Sequence, residues 1–207
     1  MQNYIQSFQR IIDELNKLPG IGPKSAERLA SHLLKMNAED FSELIDSMAQ
    51  GRKKIKMCKI CFNLTEYDIC DICKDESRDK STICVVEDTK DLIAIERTGI
   101  YHGFYHVLHG VLKISDNVES KDLRIEELIN RIKSFPMKEL IIATNLTYEG
   151  ELTAMFIVRE LQDIKIKITR IASGLPVGSD IEYADQLTLK NAFKGREIIE
   201  KEEEVER

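Results

Sequence analysis

The spacing of hydrophobic residues changes once along the chain, and the change divides it. Tyr4, Ile5, Phe8, Ile11, Ile12, Leu15 and Leu18 recur at helical intervals, which predicts a helix over 4–18 with one apolar face. Pro19-Gly20-Ile21-Gly22-Pro23 interrupts it, because such a cluster of prolines and glycines breaks a helix sharply. Helical spacing resumes over 24–36, with Ala26, Leu29, Ala30, Leu33 and Leu34 expected inward. Pro23 suits the first turn of that second helix, where its missing N–H is harmless. Asn37 can cap a third helix, with Phe41, Leu44, Ile45 and Met48 inward.

Further on the period shortens. Thr82-Ile-Cys-Val-Val86 is a short, β-branched apolar run of the kind that forms a buried strand. Strands are expected again at 104–108, 139–143 and 164–171, and helices over 88–97, 123–133 and 150–161. Strand and helix alternate, so the sheet should be mostly parallel, with ligands beyond the carboxyl ends of its strands. Lys74 to Lys80 is charged and reads as a linker. Cys84, inside an apolar run, reads as a small buried hydrophobe. His102, His106 and His109 fall near a strand, where the i, i+4 pairing of a helical metal site is not expected.

Between the two patterns lies the strongest chemical signal. Cys58-Lys-Ile-Cys61 and Cys70-Asp-Ile-Cys73 are two CxxC pairs separated by eight residues. Each pair turns two sulfurs toward one point, and the gap suits a short hairpin that brings the pairs together. Four thiolates match a closed, structural zinc site with no position left for substrate. Two disulfides or unligated thiols are the other arrangements. Met1 leads into a polar, amphipathic segment rather than a signal peptide or membrane span, and a reducing cytosol disfavours disulfides.

Charge adds one contrast. The chain of 207 residues carries a net charge of -6, so its surface as a whole does not attract nucleic acid. Residues 1–60 nonetheless hold ten Lys and Arg against seven Asp and Glu, a balance of +3. The tail from Glu200 to Arg207 holds five Glu against Lys201 and Arg207, a balance of -3. A basic front on an acidic chain fits a local anionic partner, or a merely solvated surface.

The basic front coincides with the glycine turn. Two helices joined by Gly20-Ile21-Gly22 form a helix–hairpin–helix, whose backbone amides can approach a phosphate at the positive end of the second helix. Lys24 and Arg28 are four residues apart and share the face beside that hairpin. Phosphate contacts of this kind hold DNA without reading bases. An ordinary helical hairpin is the bland alternative. Arg52-Lys53-Lys54-Ile55-Lys56 either extends a basic track or is a solvated run.

Glu87 ends the first strand of the second half, and Glu149-Gly150-Glu151 follows the third. A strand ending in Glu, then a strand followed by an acid-x-acid pair, resembles the Toprim fold of topoisomerases, primases and old-family nucleases. Helix–hairpin–helix, four-cysteine zinc site and Toprim, in that order, resemble the bacterial RecR family of recombination mediators. The matching stretches are Leu18-Pro-Gly-Ile-Gly-Pro-Lys-Ser-Ala-Glu-Arg28, the four cysteines, Tyr105-His-Val-Leu108, Ala143-Thr-Asn145, Glu149-Gly-Glu151, Ser173-Gly-Leu-Pro-Val-Gly178 and Glu182-Tyr-Ala-Asp-Gln-Leu-Thr-Leu189. Departures are Leu146, where Pro is usual, Ser179, where a second Gly is common, and the loop 113–120, which lacks a Gly-rich run.

The resemblance implies an α+β protein. Its parts are a helix–hairpin–helix DNA-binding region (1–56), a zinc finger (57–74), an α/β Toprim domain with a mostly parallel sheet (80–173), and a C-terminal oligomerisation segment with a charged tail (174–207). It implies a non-enzymatic, ring-shaped homotetramer of the cytoplasm and nucleoid, with no membrane part. That ring would bind single-stranded, double-stranded or gapped DNA and act with RecO and RecF to load recombinase. Lys24 and Arg28 would contact DNA, with Gly20, Gly22, Arg52, Lys53 and Lys54 as further candidates. Glu87, Glu149 and Glu151 would dock RecO. Toprim enzymes hold Mg²⁺ on similar acids, so the alternative is a Mg²⁺-dependent nuclease or primase. No nucleophile accompanies the acids beyond the lone Tyr148.

Overall fold

The structure, a computed structural model, describes residues 4–113 and 123–197. Most of the 113–120 loop and the whole charged tail from Glu200 to Arg207 lie outside the described residues. The chain forms two compact units, divided between Ile55 and Lys56. No helix among the described residues is long and apolar enough to cross a membrane.

The N-terminal unit contains α1 (Gln6–Asn16), α2 (Pro23–Leu33) and α3 (Ala38–Lys54). Ile12, Ala26 and Ala30 are buried, with Tyr4, Phe8, Ile11, Leu15 and Ile21 packed around them. The two alanines let the α1 and α2 backbones approach closely. Asn37 caps α3 as expected, its side chain accepting from the Asp40 amide at 2.8 Å. The inward faces are narrower than the pattern suggested. Leu29 of α2 and Leu34 at its C-cap are exposed, and Phe41, Ile45 and Met48 are exposed on α3, where no residue is buried. Periodicity shows that a helix has an apolar stripe; it does not show what covers it.

The second unit opens with a small antiparallel ladder, β1 (Lys56–Met57) against β2 (Leu64–Thr65). This hairpin straddles the first CxxC instead of linking the two pairs, which corrects the expectation for the eight-residue gap. The second pair lies on the short helix α4 (Asp71–Lys74) and its N-cap Cys70. The main sheet contains β3 (Asp79–Val86), β4 (Gly103–Val107), β5 (Glu139–Ile142) and β6 (Lys167–Arg170). Its order is β4-β3-β5-β6, and every pairing is parallel. Helices α5 (Thr89–Glu96), α6 (Ile125–Ser134) and α7 (Tyr148–Glu160) intervene, and a 3-10 turn (Ile181–Tyr183) and α8 (Gln186–Lys194) follow.

Alternation along the strands builds two cores. Ile83, Val85, Phe104, Leu108, Leu140 and Ile142 face α6 and α7, where Ile125, Leu128, Ile132, Ala154, Ile157 and Leu161 are buried. Cys84, Val86, Tyr105, Val107 and Ala143 face the other side with Leu92 of α5, and Phe62 and Ile72 of the cysteine region pack there too. Cys84 is a small core residue, as read from the sequence. The charged stretch after Cys73 is more than a linker. Arg78 is pinned by a hydrogen-bonded ion pair to Glu96, and β3 already starts at Asp79.

Candidate zinc centre, nucleic-acid interface and acidic edge

The sulfurs of Cys58, Cys61, Cys70 and Cys73 all lie within 4.8 Å of one another. Four sulfurs around one zinc stand about 3.8 Å apart at ordinary Zn–S lengths, and Cys61 Sγ is 3.5 Å from Cys70 Sγ. Cys58, Cys61 and Cys70 are buried and Cys73 is half-buried. None is in a disulfide. The knuckle backbone donates to sulfur as a thiolate requires: the Ile60 and Cys70 amides reach Cys58 Sγ at 3.5 and 3.4 Å. Without a cation such crowding opposes multiple ionisation. Contact with Cys70 pushes the Cys61 thiol up to about 12, and contact with Cys61 pushes Cys73 up as well. Hydrogen bonds from those neighbours push Cys70 down, as the sulfur that takes the negative charge. A bound Zn²⁺ reverses this balance and deprotonates the set. The donor set therefore fits structural zinc.

Around the glycine turn, Gly20 takes φ +80°, a left-handed conformation that glycine adopts without strain. Gly22 is the N-cap of α2, and no side chain among the described residues caps that end. Beyond the adjoining backbone, no described atom lies within 4 Å of where a Cβ would stand on either glycine, so the turn is open to a ligand. Lys24 and Arg28 are exposed on α2. Neither forms an ion pair among the described residues. Glu27, which lies between them, accepts a hydrogen bond from the Tyr4 hydroxyl. Arg52, Lys53 and Lys54 form the last turn of α3, where cations complement the helix dipole. Lys56, by contrast, is paired with Asp68 at 2.6 Å.

The three acidic candidates gather at the carboxyl ends of the strands but do not converge. Among the described residues, only the four cysteines place three or more metal-binding side chains within ligand range. Glu87 receives the backbone amide and the side-chain amide of Asn145 at 2.6 and 2.7 Å. Glu151 is paired with Arg170 at 2.8 Å. Glu149 makes no side-chain hydrogen bond or ion pair among the described residues. Glu149 is expected on a loop just ahead of a helix that begins at 150. It lies instead with Glu151 in the first turn of α7, because Thr147 caps the helix two residues earlier by accepting from the Gly150 amide. Residues two apart on a helix point to different sides, so Glu149 and Glu151 diverge. Gly150 between them is obligatory: a Cβ there would lie 2.1 Å from the Asn145 carbonyl oxygen.

Sequence reasoning missed Asn145 and Arg170, which engage Glu87 and Glu151. Arg170 also reaches Thr144 Oγ1 at 3.0 Å and the Asn145 carbonyl at 3.3 Å. Its signal was its position at the carboxyl end of a parallel strand. Of the histidines, His106 is buried and His102 and His109 are exposed. At the two described departures, Leu146 is exposed just before the α7 cap, and Ser179 closes a turn onto the Pro176 carbonyl.

Comparison with known families agrees along the chain. Family models for the RecR helix-hairpin-helix, the RecR four-cysteine zinc finger domain, the Toprim domain and the RecR C-terminal region match residues 8–51, 55–75, 81–172 and 174–197. Three relatives bear the name Recombination protein RecR. That of Rubrobacter xylanophilus is 50% identical over 95% of this chain and 98% of its own length. Those of Paenarthrobacter aurescens and Carboxydothermus hydrogenoformans are 48% and 47% identical, over 93% and 95% of this chain and 97% and 99% of their own. The zinc finger, the parallel Toprim sheet and the helix–hairpin–helix thus occur together in one lineage, and the chain belongs to the RecR family.

Proposed function

We propose that this chain is a non-catalytic, DNA-binding recombination mediator in recombinational DNA repair. It assembles as a ring-like homotetramer in the cytoplasm, at the nucleoid, and acts with RecO and RecF to load recombinase onto single-stranded or gapped DNA. The observation that carries the reading is the N-terminus of α2, uncapped by any described side chain, with the left-handed Gly20 before it. Lys24 and Arg28 stand beside it, outside any ion pair among the described residues. Amides and cations at one helix end can together hold an anion, and a phosphate backbone supplies anions at regular spacing. Gly22 lends the open approach, and Arg52, Lys53 and Lys54 can add contacts. One protomer offers few phosphate contacts, so several copies in a ring gain by avidity.

The acidic edge suits docking better than catalysis. Glu87 is already occupied by Asn145 and Glu151 by Arg170, which leaves Glu149 to meet a basic partner such as RecO. A Mg²⁺-dependent nuclease or primase would need these acids to converge on the ion. Incubating the zinc-loaded protein with labelled single-stranded, double-stranded and gapped DNA in Mg²⁺ separates the two. The mediator retards the DNA and leaves its length unchanged; cut or extended strands would replace this reading with the enzymatic one.

A further inference from the structure

Strand β4 is an edge strand, and an edge leaves main-chain groups without a ladder partner. Three such groups of β4 are taken by other parts of the chain. Arg78 Nη1 donates to the Gly103 carbonyl at 3.0 Å, and Arg131 Nη1 donates to the Tyr105 carbonyl at 2.7 Å. The third, the Val107 amide, donates to the carbonyl of Cys61 at 2.8 Å. A zinc-ligand residue thus closes the carboxyl end of the edge strand.

The next residue tightens that junction. Phe62 has φ +62° and His109 has φ +60°, and among the described residues they are the two non-glycine residues with positive φ. A left-handed backbone is disfavoured for a residue with a Cβ and persists only where its surroundings over-determine it. The two face each other across one hydrogen bond, from His109 Nε2 to the Phe62 carbonyl at 2.6 Å. The acceptor is a carbonyl, so Nε2 carries the proton. The Phe62 ring lies edge-on to His106 at 5.3 Å and beneath the Arg124 guanidinium at 5.1 Å. On the finger side the knuckle sets this geometry, with the Phe62 amide bonded to the Cys58 carbonyl and the Cys58 amide to the Asn63 carbonyl. On the sheet side the Leu108 amide reaches the Val86 carbonyl and the Gly110 amide reaches the Glu87 carbonyl, both at 3.0 Å.

We propose that the first zinc knuckle braces the carboxyl end of β4, with Phe62 and His109 as positioning residues, so that zinc retention and the order of the Glu87 edge are one coupled property. The coupling runs both ways. Weakening the His109–Phe62 bond loosens the metal, and removing the metal loosens 107–110 and the Glu87 backbone. It holds whichever partner the acidic edge meets.

The test starts from zinc-loaded full-length chain and follows zinc transfer to an excess of chromogenic chelator. His109→Gly suits the left-handed backbone and removes only the side-chain donor. It should release zinc at least about threefold faster than wild type, the scale of one net hydrogen bond. His102→Ala, at the other end of β4, should release it at the wild-type rate. Equal rates for wild type and His109→Gly, or equal acceleration by His102→Ala, would overturn the proposal. Hydrogen exchange of the wild-type chain, zinc-loaded against zinc-stripped, gives a check that needs no variant. Exchange at 103–110 should rise more than at 139–142 and 167–170. A rise confined to 56–75, or one uniform over all strands, contradicts the brace.

Discussion

Arg170 Nη2 lies 2.8 Å from Glu151 Oε1, tying the end of β6 to the first turn of α7. Through Thr144 and Asn145 the same guanidinium reaches the loop that holds Glu87. The carboxyl edge of the sheet is therefore internally compensated, with a fixed cation among its acids. Of the three acids, Glu149 is the one that the described residues leave uncommitted for an arriving basic partner.

Glu149→Ala should weaken binding to a RecO-like partner and leave thermal stability within about 0.5 kcal/mol, because no interaction of that side chain with the described residues is lost. Arg170→Gln should cost more: the ion pair, half-exposed at Glu151, contributes no more than about 1 kcal/mol, but the half-buried guanidinium also serves Thr144 and the Asn145 carbonyl. Calorimetry on Glu87→Ala, Glu149→Ala and Glu151→Ala with that partner checks the docking surface. If all three bind like wild type, the surface lies elsewhere.

Zinc should be present at one per chain. Cys58→Ser should lose it and lower the thermal midpoint of the second unit by several degrees or more, since the binding energy of a structural metal is folding energy. Cys84→Ser is the control: the residue is buried in β3 and outside the cysteine cluster, so its variant should be destabilised yet keep its zinc. Elemental analysis reads both, and an equal zinc content in Cys58→Ser and wild type refutes the ligand assignment.

His106 should make the second unit acid-sensitive. Burial holds its pKa down to about 4, against 6.5 when exposed. Nε2 donates to the Arg124 carbonyl at 2.7 Å, while Nδ1 is buried without a partner among the described residues. The folded state thus keeps the imidazole neutral, and the unfolded state binds the extra proton as pH falls below about 6.5. Stability is full above that value and is lost toward pH 4, by about 3 kcal/mol for a shift of this size. Zinc thiolates protonate on acidification too, so the informative quantity is wild type minus His106→Gln in urea midpoints across pH. A difference that does not change between pH 7 and pH 4.5 would remove His106 from the explanation.

Self-association should depend on the C-terminal segment. Val177, Ile181, Tyr183, Leu187 and Phe193 are exposed there, a series of apolar side chains that a lone chain leaves in water. Phe193→Glu should lower the mass in solution without changing the circular dichroism. Light scattering that returns the wild-type mass for this variant would place the contact on another face, with exposed Phe41, Ile45 and Met48 of α3 as the next candidate.

Much of this was legible in the sequence, for identifiable reasons. Local periodicity reveals helices and strands, so the parallel sheet followed from Thr82–Val86 and the runs after it. CxxC spacing is set by the knuckle itself, so the zinc ligands could be read directly. The acidic edge was half legible. Glu149 and Glu151 were visible, but their divergence depends on Thr147 starting the helix two residues early. Arg170 was hidden because a strand alternating Ile and Lys reads as having one solvated polar face. The left-handed pairing of Phe62 with His109 joins residues far apart in sequence; His is among the types that tolerate that conformation, but Phe is not, and nothing local links the two.

The sharpest measurement is fluorescence anisotropy of single-stranded and gapped DNA across a salt series, with wild type and Lys24→Glu/Arg28→Glu compared. Neither side chain belongs to the buried pair Ala26 and Ala30, so circular dichroism of the double variant should match wild type. Wild-type affinity should fall steeply with salt and vary little with sequence, because phosphate contacts dominate. The reversed charges should abolish binding rather than merely reduce it. A folded double variant that binds as tightly as wild type would contradict the α2 site and move DNA contact to the Arg52, Lys53 and Lys54 turn.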